Sequence, residues 1–232
     1  MPARLLIVIL LCLTAAPAGA GPWPRAPGTG FVSFTAGAED LRLLRTQEAG
    51  LEGLRLRMEP AAEFYGEYGL SERIVLGLHL RRAEGRLRRD LLARWHPRLP
   101  GPVALGLTLG ARLGVEGGRR AEPFVAAHLG YGTETRIGNI WARAGLQAVG
   151  NPEGLRGIAE VEISGQVGLR MGWGGLAMLT LSEHRDGFGR MRKLTPALGY
   201  AVTARSTLVL GATVLPQARR LDGLQLSFWR DF

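Results

Sequence analysis

The chain has 232 residues, 34 of them glycine, with one cysteine and a formal net charge of +9 at neutral pH. That cysteine, Cys12, sits in an N-terminal stretch that reads as removable, so the remainder has no disulfide, no cysteine nucleophile and no thiolate metal site. The basic excess is almost wholly arginine, Lys193 being the only lysine, and it is scattered from end to end. A nucleic-acid binder gathers its basic residues into one patch with aromatic partners, which is absent here; codon bias explains such an arginine excess more simply.

The opening "MPARLLIVILLCLTAAPAGA" has a basic Arg4, an apolar run from Leu5 to Leu13, and small residues at Ala18 and Ala20 that match an A-x-A cleavage site. We therefore expect a signal peptide over residues 1–20, read by the Sec export machinery, and a mature start at Gly21. The apolar run is too short for the roughly 20 residues of a spanning helix, and Leu11 before Cys12 is too bulky for lipoprotein processing. Removing Arg4 leaves 28 basic against 20 acidic residues, a mature charge of about +8. No later run approaches 18 apolar residues, which excludes helical membrane spans and directs attention to strands.

Residues 21–28, "GPWPRAPG", carry three prolines and predict an irregular periplasmic lead-in. From there apolar residues recur two apart in segments of about ten, bounded by Gly, Pro, Asn, Asp or Arg, which is the signature of a sandwich or barrel. No linker or compositional break divides residues 29–232, so one domain is predicted. Twelve strands are expected, at 29–38, 60–70, 73–82, 86–96, 102–113, 122–131, 140–149, 157–170, 174–184, 192–202, 206–215 and 222–232; a count of 10 or 14 stays open because residues 39–59, read as a long loop, have room for another hairpin.

The alternation is clearest in 157–170, where Ala159, Val161, Ile163, Val167 and Leu169 oppose Glu160, Glu162, Ser164, Gln166 and Arg170. In 102–113 Leu105, Leu107 and Leu109 oppose Gly106, Thr108, Gly110 and Arg112. Alternation alone does not separate a soluble sandwich from a membrane barrel. Three features choose the barrel: a small-residue polar face with ionisable residues set into it, strands near the 9–11 residues that cross a bilayer, and turns that alternate between short and long. The fold class expected is all-β, a closed antiparallel transmembrane barrel with short periplasmic turns.

The last residues, "LQLSFWRDF", place Leu224, Leu226, Phe228 and Phe232 on one face. Together with "GPWPRAPGTGFVSF" and "EFYGEYGLSERIVLGLHL", they make the whole mature chain resemble a small outer-membrane β-barrel of Gram-negative bacteria, porin-like or transporter-like. The resemblance implies an outer-membrane location with membrane lipid as partner. It also implies that Leu226, Phe228 and Phe232 form the terminal signal read by the barrel-assembly machinery, although Arg230 stands where an apolar or aromatic residue is usual.

Strand parity then predicts the pore-lining residues: Glu63, Glu67, His79, Arg81, Arg94, His96, Arg112, His128, Arg143 with Gln147, and Glu160, Glu162 and Arg170 with Gln166. Side-chain rings of this kind set selectivity in a pore, or interlock as ion pairs in a filled barrel. The expected function is a passive channel or uptake pore for small solutes, anion-preferring from the net charge; the alternative is a plugged structural or adhesion-type barrel. An enzyme is not expected. Ser182 and His184 share a strand face, yet their order is the reverse of the His-x-Ser of outer-membrane lipid hydrolases, which would be the minor alternative, and no acid is placed to orient the histidine. The four histidines lack metal-ligand spacing and "GPVALGLTLG" is followed by no helix, so neither a metal nor any other cofactor is expected, and no nucleic-acid partner.

Overall fold

Period-two patterning over nearly all of residues 29–232 leaves little but sheet, and a computed structural model has twelve antiparallel strands joined edge to edge. The structure describes residues 23–48, 51–83, 85–113, 121–151 and 157–232, with the backbone alone at 43–48 and 51–56. The predicted signal peptide lies outside the described residues. The strands are β1 (Gly30–Glu48), β2 (Leu51–Gly69), β3 (Ile74–Ala83), β4 (Arg86–Trp95), β5 (Val103–Leu113), β6 (Glu122–Thr135), β7 (Gly138–Gly150), β8 (Ile158–Met171), β9 (Gly175–Asp186), β10 (Gly189–Thr203), β11 (Ser206–Leu215) and β12 (Arg220–Asp231). Each pairs with its neighbour in sequence, and β12 returns to β1 to close the barrel.

Closure is in register from Phe31 opposite Asp231 to Ala38 opposite Leu224. It is locked at the end by Gly30 and Phe232, which exchange backbone hydrogen bonds of 2.8 and 3.0 Å. The residue at 30 has to be glycine for this contact, because a Cβ there would sit 2.3 Å from the Phe232 ring. The terminal aromatic is thus stacked over a seam where any side chain would push it away.

The expected loop 39–59 is instead the far part of the β1–β2 hairpin, paired from Arg42 opposite Arg57 to Glu48 opposite Leu51. A register shift between Glu39 and Arg42, with Asp40 at φ 49°, interrupts the alternation that defines a strand in sequence. A bulge adds a residue and slips the period by one. The stretch 132–139, left between the strands expected at 122–131 and 140–149, is likewise mostly strand: β6 runs to Thr135 and β7 starts at Gly138, whose φ of 138° suits a tight reversal. The outer connections are also shorter than expected wherever strands extend into them, as with Asp186 to Gly189. The asymmetry between the two ends therefore lies largely in strand length, with β1 and β2 projecting as a 19-residue pair.

The two faces follow the predicted parity. Leu107, Leu109, Ile163 and Leu210 are exposed on the outside, Leu109 at 68%, whereas Thr108 is 3% exposed and faces inward. Exposed Tyr68, Trp95, Tyr131, Trp173, Tyr200 and Phe232 cluster at the end that carries both termini, the arrangement of an interfacial aromatic girdle. An outer surface so rich in leucine and valine is stable only against hydrocarbon. Leu107→Arg should cost about 2–4 kcal/mol of folding stability in lipid, measured by urea titration in vesicles, and should exceed the cost of Leu107→Ala. Gly30→Leu should slow insertion in the same assay and reduce the heat-modifiable band on gels as much as deletion of Phe232 does, whereas Asp231→Ala should do so less.

Candidate functional site: the barrel lumen

Inward parity on β2 to β8 brings most of the predicted ionisable residues into one arc of the lumen wall. Glu67 of β2 and Arg94 of β4 meet at 2.7 Å, both under 9% exposed at the side chain. Tyr65 donates its hydroxyl hydrogen to Glu67, and Arg94 also donates to Thr108 at 3.1 Å. Because β2 and β4 are not adjacent, this bond spans the interior above β3. The same carboxylate accepts from Arg25 at 3.3 Å, and Arg25 donates to Asp231 of β12 at 3.0 Å while lying 5.0 Å over the Phe31 ring. Arg25 belongs to the proline-rich lead-in, so the segment before β1 reaches into the mouth and binds both sides of the seam.

A second layer lies nearer the outer end. Arg112 of β5 donates to Glu160 of β8 at 2.8 and 3.3 Å, a strut between strands three apart. It also lies 3.4 Å from Asp90 and 3.7 Å from Glu122. Asp90 accepts from Arg88 at 2.7 Å. His79 lies 3.3 Å from Glu63 and 3.6 Å from Asp90, and Arg81 reaches Glu39 at 2.6 Å.

The layers bound two cavities. The outer one, about 430 Å³, is lined by Glu63, His79, Arg81, Arg94, His128, Arg143, Gln147 and Glu162 among others. The inner one, about 640 Å³, is lined by Trp23, Arg25, His96, Asn139, Trp141 and Arg170 among others. His96 has its Nδ1 3.1 Å from the Leu105 carbonyl oxygen. The Glu67–Arg94–Arg25 node lies where the two cavities approach, since Arg94 lines the outer and Arg25 and His96 the inner.

Not every predicted residue is engaged. Among the described residues, Arg143, Arg170 and Glu162 make no ion pair or side-chain hydrogen bond, and the inward Lys193 makes none either. Buried polar atoms on His96 (Nε2), His128 (Nδ1) and Gln147 (Nε2) also lack a protein partner. A buried polar group without a partner costs about 1–3 kcal/mol, which favours a hydrated lumen over a dry packed one.

Sequence parity missed the other arc. Leu176, Met178, Ala197 and Val209, inward on β9 to β11, form an apolar cluster with Trp141 and Trp229 packed against it. It also missed Tyr65, Arg88 and Asp90, which share inward parity with Glu67 and Arg94, and Arg25, for which a proline-rich segment gives no periodic signal. Glu160, Glu162 and His184 approach one another closely enough to offer ligand atoms to a cation, but Glu160 is already bound by Arg112. Contrary to the expectation that no acid stands beside it, His184 lies 3.6 Å from Glu160 and 3.5 Å from Asp186, but Ser182 makes no hydrogen bond to it among the described residues. Both side chains face the lumen, away from lipid.

Truncating Glu67 should leave the buried Arg94 guanidinium without a carboxylate and Arg25 with Asp231 alone. Glu67→Ala is expected to destabilise the barrel by about 3–5 kcal/mol, read as a lower urea midpoint in detergent, and to release Trp23 and Arg25 from the mouth, read as a red shift of tryptophan emission.

No protein-family model matches the chain, and no curated protein matches it significantly. Solved structures do. The chain is similar to the KdgM porin at a TM-score of 0.61 and 6% identity, over 87% of this chain and 99% of that one. It is similar to the NanC porin at 0.58 and 9%, over 87% and 98%. An outer membrane channel from Pseudomonas putida gives 0.51 at 10% identity, over 94% and 99%. At such identities the likeness is one of fold, and the fold is that of a small closed barrel of the outer-membrane porin type.

Proposed function

We propose that the protein is an outer-membrane pore that passes small anionic solutes. The observation that carries this reading is the basic excess among the unpaired lumen charges of the described residues: Arg143 in the outer cavity, Arg170 in the inner one and Lys193 on β10, against Glu162 in the outer cavity. The paired residues cancel one another and hold the wall, whereas the free guanidiniums are available to a passing carboxylate or phosphate. Charged rings act in this way in selective pores.

The unsatisfied polar atoms on His96, His128 and Gln147 support a wet lumen over the plugged alternative. One of the structures matched in fold is the KdgM porin in complex with disordered oligogalacturonate. By analogy of fold alone, an acidic saccharide is the first solute class to test. Its carboxylates would meet the arginines, and its C–H faces the wall around Met178, Trp141 and Trp229.

Purified protein in planar bilayers should give discrete conductance steps, and a salt gradient should give a reversal potential of anion-selective sign. Arg143→Glu with Arg170→Glu should move that potential toward cation selectivity while the protein remains heat-modifiable. Absence of steps from folded protein would favour the plugged barrel, and an unchanged potential in the double variant would remove these two residues from the path.

A further inference from the structure

On the outside of the barrel, at the outer end of β9 and β10, three arginines converge on one carboxylate. Glu183 accepts from Arg185 at 2.6 Å and Arg192 at 2.8 Å, and from Arg190 as well. The carboxylate is 14% exposed while all three guanidinium side chains are about half exposed, so the cluster presents a net charge of +2 to its surroundings. Parity fixes the side: Glu183 and Arg185 continue the outward row of Leu179 and Leu181. With both termini at the girdled end, the β9–β10 turn is at the opposite, outer end.

Beneath this cluster the outer wall has a trough. Leu129, Ala144, Gly165 and Leu181 stand opposite one another across β6, β7, β8 and β9. The row thus drops from leucine to alanine and glycine and rises to leucine again. Ala142 and Val167 continue the same outer groove, about 360 Å³ in volume, one step lower. Its floor is open, since a Cβ on Gly165 would meet nothing nearer than a backbone oxygen at 4.0 Å. Arg185 lies four residues above Leu181 on the same strand, about 13 Å at the rise of a β-strand, which is within reach of a fatty acyl chain.

We propose that this face binds a phosphorylated lipid of the outer leaflet, its phosphate held by Arg185, Arg190 and Arg192 and one acyl chain lying in the Ala144–Gly165 trough. Neither element would select such a lipid alone. A surface arginine cluster attracts any anion, and a greasy dent accepts any chain. A guanidinium fork matches phosphate oxygens in geometry as well as charge, and Glu183 aligns three of them on the side of the wall that hydrocarbon covers. The inference rests on the outer-membrane reading of the proposed function, with the termini on the periplasmic side as the sequence leads us to expect, but not on conductance.

The test is native mass spectrometry of the folded barrel in zwitterionic detergent, titrated with diphosphoryl lipid A, with the same lipid after removal of its phosphates, and with inorganic phosphate. Wild type should retain the diphosphoryl form at least tenfold better than the dephosphorylated form. Arg185→Gln, Arg190→Gln and Arg192→Gln together should remove that preference, and Gly165→Leu should weaken retention of both lipids. Arg190→Gln alone, near the turn, should give a partial loss in case the triple variant folds poorly. Equal retention of the two lipids by wild type would overturn the proposal, as would displacement of lipid A by inorganic phosphate at equimolar concentration, which would reduce the site to a surface anion cluster. Normal conductance with no phosphate preference would overturn this inference alone; absence of a heat-modifiable barrel would defeat the membrane reading beneath it.

Discussion

Backbone amides in hydrocarbon must find their partners within the protein, because each unpaired group there costs several kcal/mol. A sheet meets that requirement only by closing, so β12 returns to β1 and the last residue shares its hydrogen bonds with Gly30. Everything else is set by that ring. Strand parity becomes an inside and an outside, and no residue chooses its face independently of its neighbours. This is why a run such as Val103 to Leu113 carries both a lipid-facing leucine row and a lumen row of Thr108 and Arg112.

A closed ring also creates an interior that is neither core nor solvent. In such a space a charge is affordable only beside a counter-charge or water, and the lumen uses both. Glu67, Arg94 and Arg25 satisfy one another in the inner layer, and Arg112 with Glu160 and Asp90 does so farther out. Two of these contacts, Glu67 with Arg94 and Arg112 with Glu160, connect strands that the sheet does not pair, so they brace the wall across its width. Removing one partner is costly, but the pair itself contributes modestly, since desolvation offsets much of the attraction.

Much of this was legible in the residue order because a period of two needs no tertiary context. The twelve strands, the outward rows through Leu107 and Ile163, and the inward placement of Glu63, Glu67, Arg94, Arg112 and Glu160 all follow from alternation. The failures have a common physical cause. At Asp40 a bulge shifts the period, so alternation gives no sign of the strand beyond it. At Leu176 and Met178 the inward face is itself apolar, and parity carries no sign of which residues across the lumen will meet it. Arg25 lies in a segment with no period at all, and its partners Glu67 and Asp231 are 42 and 206 residues away. Pairings that cross the interior depend on which strands face each other, and that is a property of closure.

The arginine excess, scattered in the sequence, includes three populations that the ring sets apart. One is paired inside the lumen, as at Arg94 and Arg112. A second is inside and unpaired, as at Arg143 and Arg170. A third lies outside at the outer rim, where Arg185, Arg190 and Arg192 surround Glu183. Codon bias accounts for arginine being plentiful, but not for the absence of arginine from the outward rows between Leu105 and Leu109 or between Ile163 and Val167, where a charge at the bilayer midplane would cost about 2–4 kcal/mol. The charge that composition reports as a single sum is distributed by depth: low in the mid-membrane wall, balanced within the braced layers, and in excess among the unpaired lumen residues and where the hydrocarbon ends.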